Sequence, residues 1–133
     1  MSKITGYFID VLNETAEVRE VENSLHGFYD LLGCDLIEIP RRKIGVFSRK
    51  RIYSIICDEE GIYNQPKISA IDNLGQPMLC GNLFIVKDDP DPESGDLASL
   101  TADDIRYIKR FILKQGTHKY PRPYPMLHQC EYA

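Results

Sequence analysis

Apolar positions alternate with polar ones at the start of the chain. Ile4 to Leu12 and Ala16 to Val21 read as two strands joined through Asn13-Glu14-Thr15, whose side chains favour a turn, so an N-terminal hairpin is expected. The period then changes: Leu25, Phe28 and Leu32 recur at helical spacing behind Asn23-Ser24, an N-cap, and ahead of Gly33, a left-handed stop. Cys34 to Ile39 predicts a third strand, ended by Pro40, which has no ladder donor. Ile44 to Phe47 and Ile52 to Cys57 flank Ser48-Arg49-Lys50-Arg51 and predict a second hairpin with a basic tip. Ile62 to Pro77 is loop-rich, and Met78 to Lys87 predicts another strand in which Gly81 marks a bulge or a close backbone approach.

The clearest helical pattern runs from Ala102 to Gln115. Thr101 caps it, Asp103 and Asp104 suit its positive end, Arg106, Lys109, Arg110 and Lys114 suit its negative end, and Ile105, Ile108, Phe111 and Ile112 form its apolar stripe before Gly116. Thr117 to Ala133 carries three prolines and three tyrosines and is expected to be extended. Tyr120, Tyr124, Met126, Leu127 and Tyr132 make it too apolar for an idle tail, so it is expected to lie across the domain or a neighbouring subunit. Together these elements predict an α+β fold: a mixed or antiparallel sheet of about five to six strands, two helices packed on it and an extended C-terminal tail. Residues 1–116 are expected to form the single domain and 117–133 the tail.

Length and composition narrow the function classes. At 133 residues one core is expected, and 43% apolar with 27% charged residues is ordinary globular composition. No stretch approaches the roughly 20 apolar residues of a membrane span, and Met1-Ser2-Lys3 leads into a strand without a signal-peptide core, which predicts a cytoplasmic protein with no membrane partner. Cys34, Cys57, Cys80 and Cys130 are scattered, with no C-x-x-C pair, and are expected to be free thiols. The net charge of -4 argues against a general nucleic-acid binder.

None of the common nucleophile, phosphate-loop, dinucleotide or zinc-protease motifs occurs, so a non-catalytic protein without cofactor or metal is expected. The acidic loop Asp88 to Gly95 fails calcium-loop spacing, because Leu100 stands where the bidentate glutamate belongs. His118, His128 and Cys130 lack a fourth zinc ligand nearby. The suggestive feature is basic: Arg41, Arg42, Lys43, Arg49, Lys50 and Arg51 place six of the sixteen cationic side chains within residues 41–51. Guanidinium forks there suit phosphate, and Tyr53, Tyr63, Asn64 and Tyr124 are candidates to stack on or hydrogen-bond the rest of a ligand. The same cations also suit a charged rim that keeps a sheet edge from aggregating.

Glu22-Asn23-Ser24-Leu25 with Leu31-Leu32-Gly33 and Ile37-Glu38, Cys57-Asp58-Glu59-Glu60-Gly61 with Asn64-Gln65-Pro66, Cys80 to Val86, and Ser99 to Ile105 together resemble a family of small proteins of unassigned function encoded by bacteriophages and mobile elements. The resemblance covers the chain to about Leu113 and excludes the tail. It implies an anti-defence setting in which a nucleotide-derived immune signal is sequestered; burial of that ligand by the tail or by a partner subunit of a homo-oligomer is the accompanying expectation. A protein-interaction module blocking a host factor, with the tail as its ligand, and a nucleic-acid accessory protein are the competing expectations.

Overall fold

The computed structural model describes residues 2–91 and 93–133; Met1 and Pro92, which the readings of the N-terminal lead and the acidic loop include, lie outside the described residues. The N-terminal alternation becomes β1 (Lys3–Asp10) and β2 (Thr15–Glu22), paired antiparallel from Lys3↔Glu22 to Asp10↔Thr15. Asp10 closes the turn by accepting the Leu12 and Asn13 backbone N–H groups at 3.1 and 3.0 Å. The chain then enters α1 (Leu25–Leu32), where Ser24 accepts the Gly27 N–H at 3.0 Å and Gly33, at φ 67°, ends the helix.

Beyond this point short strands dominate: β3 (Ile37–Glu38), β4 (Arg41–Ile44) and β5 (Arg51–Asp58), a single turn α2 (Gly61–Asn64), then β6 (Ile68–Ile71), β7 (Pro77–Cys80), β8 (Leu83–Asp88) and β9 (Leu97–Ala98). After α3 (Ala102–Lys109) come β10 (Ile112–Gln115), β11 (Tyr124–Leu127) and β12 (Cys130–Tyr132). One sheet of eight strands has the order β12-β4-β5-β8-β1-β2, with β3 on β5 and β9 on β8; a second of four strands has the order β10-β11-β6-β7.

This corrects the expected fold class. Among the described residues the molecule is mostly β, with two sheets and three short helices, rather than an α+β fold built on one sheet of five to six strands. Three local departures account for it. Gly81, at φ 80°, splits the expected Met78–Lys87 strand into β7 and β8, and its missing Cβ leaves room for Gln65, whose Oε1 accepts the Asn82 N–H at 2.9 Å. The helix expected to reach Gln115 ends near Arg110, because residues 112–115 pair instead with β11. The loop-rich stretch supplies β6.

Period-two alternation in the large sheet makes two apolar faces. Tyr7, Ile9, Ile55 and Ile85 face the small sheet and pack with Leu79, Met126 and Leu127, with Ile108 of α3 joining them. Ile4, Phe8, Ile56 and Phe84 face the other way and are covered by Phe28 and Leu32 of α1. The first cluster is a sandwich core, where each fully buried large apolar side chain contributes about 1.5–3 kcal/mol. Residues 117–133 are part of this construction: Tyr124, Met126, Leu127 and Cys130 are fully buried, and β12 pairs with β4 through Cys130↔Ile44 and Tyr132↔Arg42. No described helix is long and apolar enough to cross a membrane.

Candidate functional site

Strand alternation separates the cations of residues 41–51. In the β4–β5 pair Arg42 lies opposite Tyr53 and Ile44 opposite Arg51, which puts Arg42, Arg51 and Tyr53 on the sandwich face. Arg41, opposite Ser54, and Lys43, opposite Ile52, point to the α1 face. The expected site is therefore not one constellation.

On the sandwich face the charges are consumed. Asp104 of α3 accepts hydrogen bonds from the Tyr53 hydroxyl (3.0 Å) and from the backbone N–H and hydroxyl of its own cap, Thr101 (2.9 Å each), while Lys87 Nζ lies at 3.1 Å. Burial works to raise its pKa, but the hydrogen bonds from Thr101, Lys87 and Tyr53 outweigh burial and hold the carboxyl at about 2. Burial pushes the Tyr53 hydroxyl up, so it stays a donor. Arg51 reaches Asp103 at 2.9 Å and stacks 4.2 Å from the Tyr107 ring. This network clamps α3 to the sheet and leaves nothing for an external anion.

The other expected residues also disperse. Arg42 lies 4.8 Å from the Tyr132 ring and donates to the Arg41 carbonyl at 3.0 Å, although its Nε is buried without a partner. Arg41 pairs with Asp88 at 3.1 Å, beside the acidic loop. Tyr124 is buried and donates to the Ile68 carbonyl at 2.6 Å. Tyr63 is exposed on α2, whose Asn64 donates to Asp58 at 3.0 Å, away from the hairpin. The four cysteines are free, and burial raises the thiols of Cys57 and Cys130 to about 12, which suits packing rather than nucleophilic chemistry. Among the described residues no three His, Cys, Asp or Glu side chains are placed to hold a metal ion.

What converges is the turn between β4 and β5. Gly45 (φ 136°), Phe47 (φ 55°) and Gln129 (φ 54°) all adopt left-handed backbone and line one cleft of about 380 Å³, together with Val46, Lys50, Asn73 and Glu131. Left-handed geometry costs a non-glycine residue about 1–2 kcal/mol, so two such residues in one cleft need an anchor. Tyr107 supplies it from below: its hydroxyl lies 2.7 Å from the Ile44 carbonyl and 2.6 Å from the Arg49 carbonyl, donating to one at a time, and so ties the two ends of the turn. A Cβ at Gly45 would clash with that hydroxyl oxygen. The Gly45 N–H donates to the Gln129 carbonyl at 3.1 Å, joining turn to tail.

On this tethered turn Phe47 is 90% exposed. Lys50 pairs with Glu131 at 2.6 Å, Lys43 sits in register with Glu131, and Arg49 is exposed with no carboxylate partner among the described residues. Lys43, Arg49 and Lys50 against Glu131 make the tip electropositive in a chain whose net charge is -4. Phe47 escaped sequence reading because Ile44 to Phe47 looks like a buried strand; the nearest signal was its place beside the basic run.

A larger cleft, about 480 Å³, lies between β2 and β10 across the sandwich. Glu14 on its rim, itself at φ 60°, is already held by Arg122 and Lys67, and no exposed ring organises the cleft. We therefore place the candidate site at the tip.

A family model described as a domain of unknown function (DUF3846) matches residues 4–112, most of the chain but neither β11 nor β12. No curated protein and no solved structure matches the chain.

Proposed function

The chain belongs to the DUF3846 family, and we propose that it is a non-catalytic binding protein whose β4–β5 tip captures a nucleotide-derived small molecule. The observation that carries this reading is Phe47: a large ring held at φ 55° and almost fully in solvent, on a turn that Tyr107 fixes. An exposed ring so restrained is a stacking platform for a base. Arg49 stands beside it for phosphate, Lys50 adds positive charge from its pair with Glu131, and the Asn73 and Gln129 amides in the same cleft can hydrogen-bond base edges or ribose. In a phage or mobile-element setting such capture would withdraw an immune signal from the host.

Equilibrium titration with cyclic mono- and dinucleotides and ADP-ribose derivatives tests the reading. Phe47→Ala and Arg49→Glu are each expected to weaken binding about tenfold, the size of one lost stacking or charged contact. Arg41→Glu, on the α1 face, should leave binding unchanged. Heating the loaded protein should release intact ligand; a chemically changed product, or binding indifferent to Phe47 and Arg49, overturns the proposal.

One observation favours a second reading. Val46, Phe47 and Ile52 are all exposed apolar side chains near the same cations, as at a docking surface for an acidic protein partner. Residues 117–133 are built into both sheets, so this reading rests on the tip rather than on a detachable tail. Tip variants that lose a protein partner while no nucleotide binds would favour it.

A further inference from the structure

β2 is the outermost strand of the eight-stranded sheet, so among the described residues one row of its backbone N–H and C=O groups faces no neighbouring strand. Edges of this kind are usually spoiled by proline, lysine or a bulge. Thr15 to Glu22 contains none of these residues, and its register with β1 is unbroken. The strand carries charge instead, in a particular order. Glu17 and Arg19 share the α1 face, and Ala16, Val18 and Glu20 share the sandwich face.

We propose that β2 pairs antiparallel with β2 of a second copy, about a two-fold axis through Val18, joining two sheets into one. Directly opposed residues in an antiparallel pair lie on the same face, so copies that keep their faces together must be related by an axis through a residue. Centred on Val18, Glu17 opposes Arg19 of the partner subunit and Arg19 opposes Glu17 of the partner subunit, while Ala16 meets Glu20 of the partner subunit. Centred on Glu17 or on Arg19, a like charge opposes itself. Self-pairing therefore selects one register from these three by charge alone.

The side chains are already set for it. Arg19 Nε holds Glu17 at 2.6 Å, and the guanidinium lies 5.3 Å from the Phe8 ring, which fixes it on the α1 face. Two copies would close an alternating ring of four charges around the axis. Val18, 44% exposed, would gain cover from its counterpart.

Sedimentation of the full chain over a dilution series tests the pairing. The wild type should dimerise reversibly, and Glu17→Arg and Arg19→Glu should each raise the dissociation constant about tenfold by setting like charges opposite one another. An equimolar mixture of the two variants should dimerise as the wild type does, because the arginines of one chain then face the glutamates of the other. Circular dichroism spectra should match throughout, since both positions are exposed. A wild type that stays monomeric at every concentration, single variants that dimerise unchanged, or a mixture that fails to recover would each overturn the interface.

Discussion

Arg51 and Arg49 are two residues apart and meet opposite fates. Arg51 begins β5, and the strand turns it onto the sandwich face, where Asp103 and the Tyr107 ring receive it beside the Asp104 clamp. Arg49 is in the turn, pinned through its carbonyl while its side chain stays in solvent. One Tyr107 serves both regions, as a cushion for one arginine and an anchor for the backbone of the other. Equal charge in neighbouring positions thus becomes adhesive in one place and recognition surface in the next, and the backbone geometry decides which.

The sharpest way to break this contrast is at the clamp. Asp104→Ala removes the carboxylate half of the Thr101–Asp104 capping box and strands the Tyr53 hydroxyl and Lys87, and should cost about 3 kcal/mol in urea unfolding while leaving the turn residues in place. The same carboxyl sets an acid limit. Its folded pKa, about 2, lies below the ordinary 3.8, so its contribution is complete above about pH 4 and disappears as pH falls through about 2. That window is worth about 2 kcal/mol and should be missing from the Asp104→Asn variant.

At the anchor, Gly45→Ala should cost about 2 kcal/mol, because it forces a Cβ onto the Tyr107 hydroxyl and leaves alanine at φ 136°. Adding Tyr107→Phe should recover part of the loss by removing the clashing oxygen. The smallest effect has the opposite sign. Phe47→Gly relieves left-handed strain and should stabilise the fold by about 1 kcal/mol in the same assay, even as it weakens ligand capture.

The sequence made local structure legible where the signals are local. Ser24 and Gly33 mark both ends of α1, and the β1–β2 alternation is uninterrupted. It misled where a distant partner decides. Ile105, Ile108 and Ile112 continue one helical stripe, yet Ile112 leaves the helix to pair with Leu127. Residues 62–77 look like loop because β6 depends on β11 arriving beside it, Ala70 opposite Leu127. At the site, the basic run was visible as a cluster. Its division was not, since that depends on where β4 stops and β5 starts, and Phe47 reads as core until its backbone is seen to turn left-handed.

The two strands near the C-terminus carry a consequence for synthesis. β11 sits between β10 and β6, and β12 completes the edge beside β4. While a ribosome is still adding residues 113–123, both layers lack a member, and β4 and β6 hold ladder groups with nothing to bond. A nascent chain can fold its first hairpin and α1 early, but the sandwich must wait for residue 132, and in that interval the open strands are what a chaperone would need to shield.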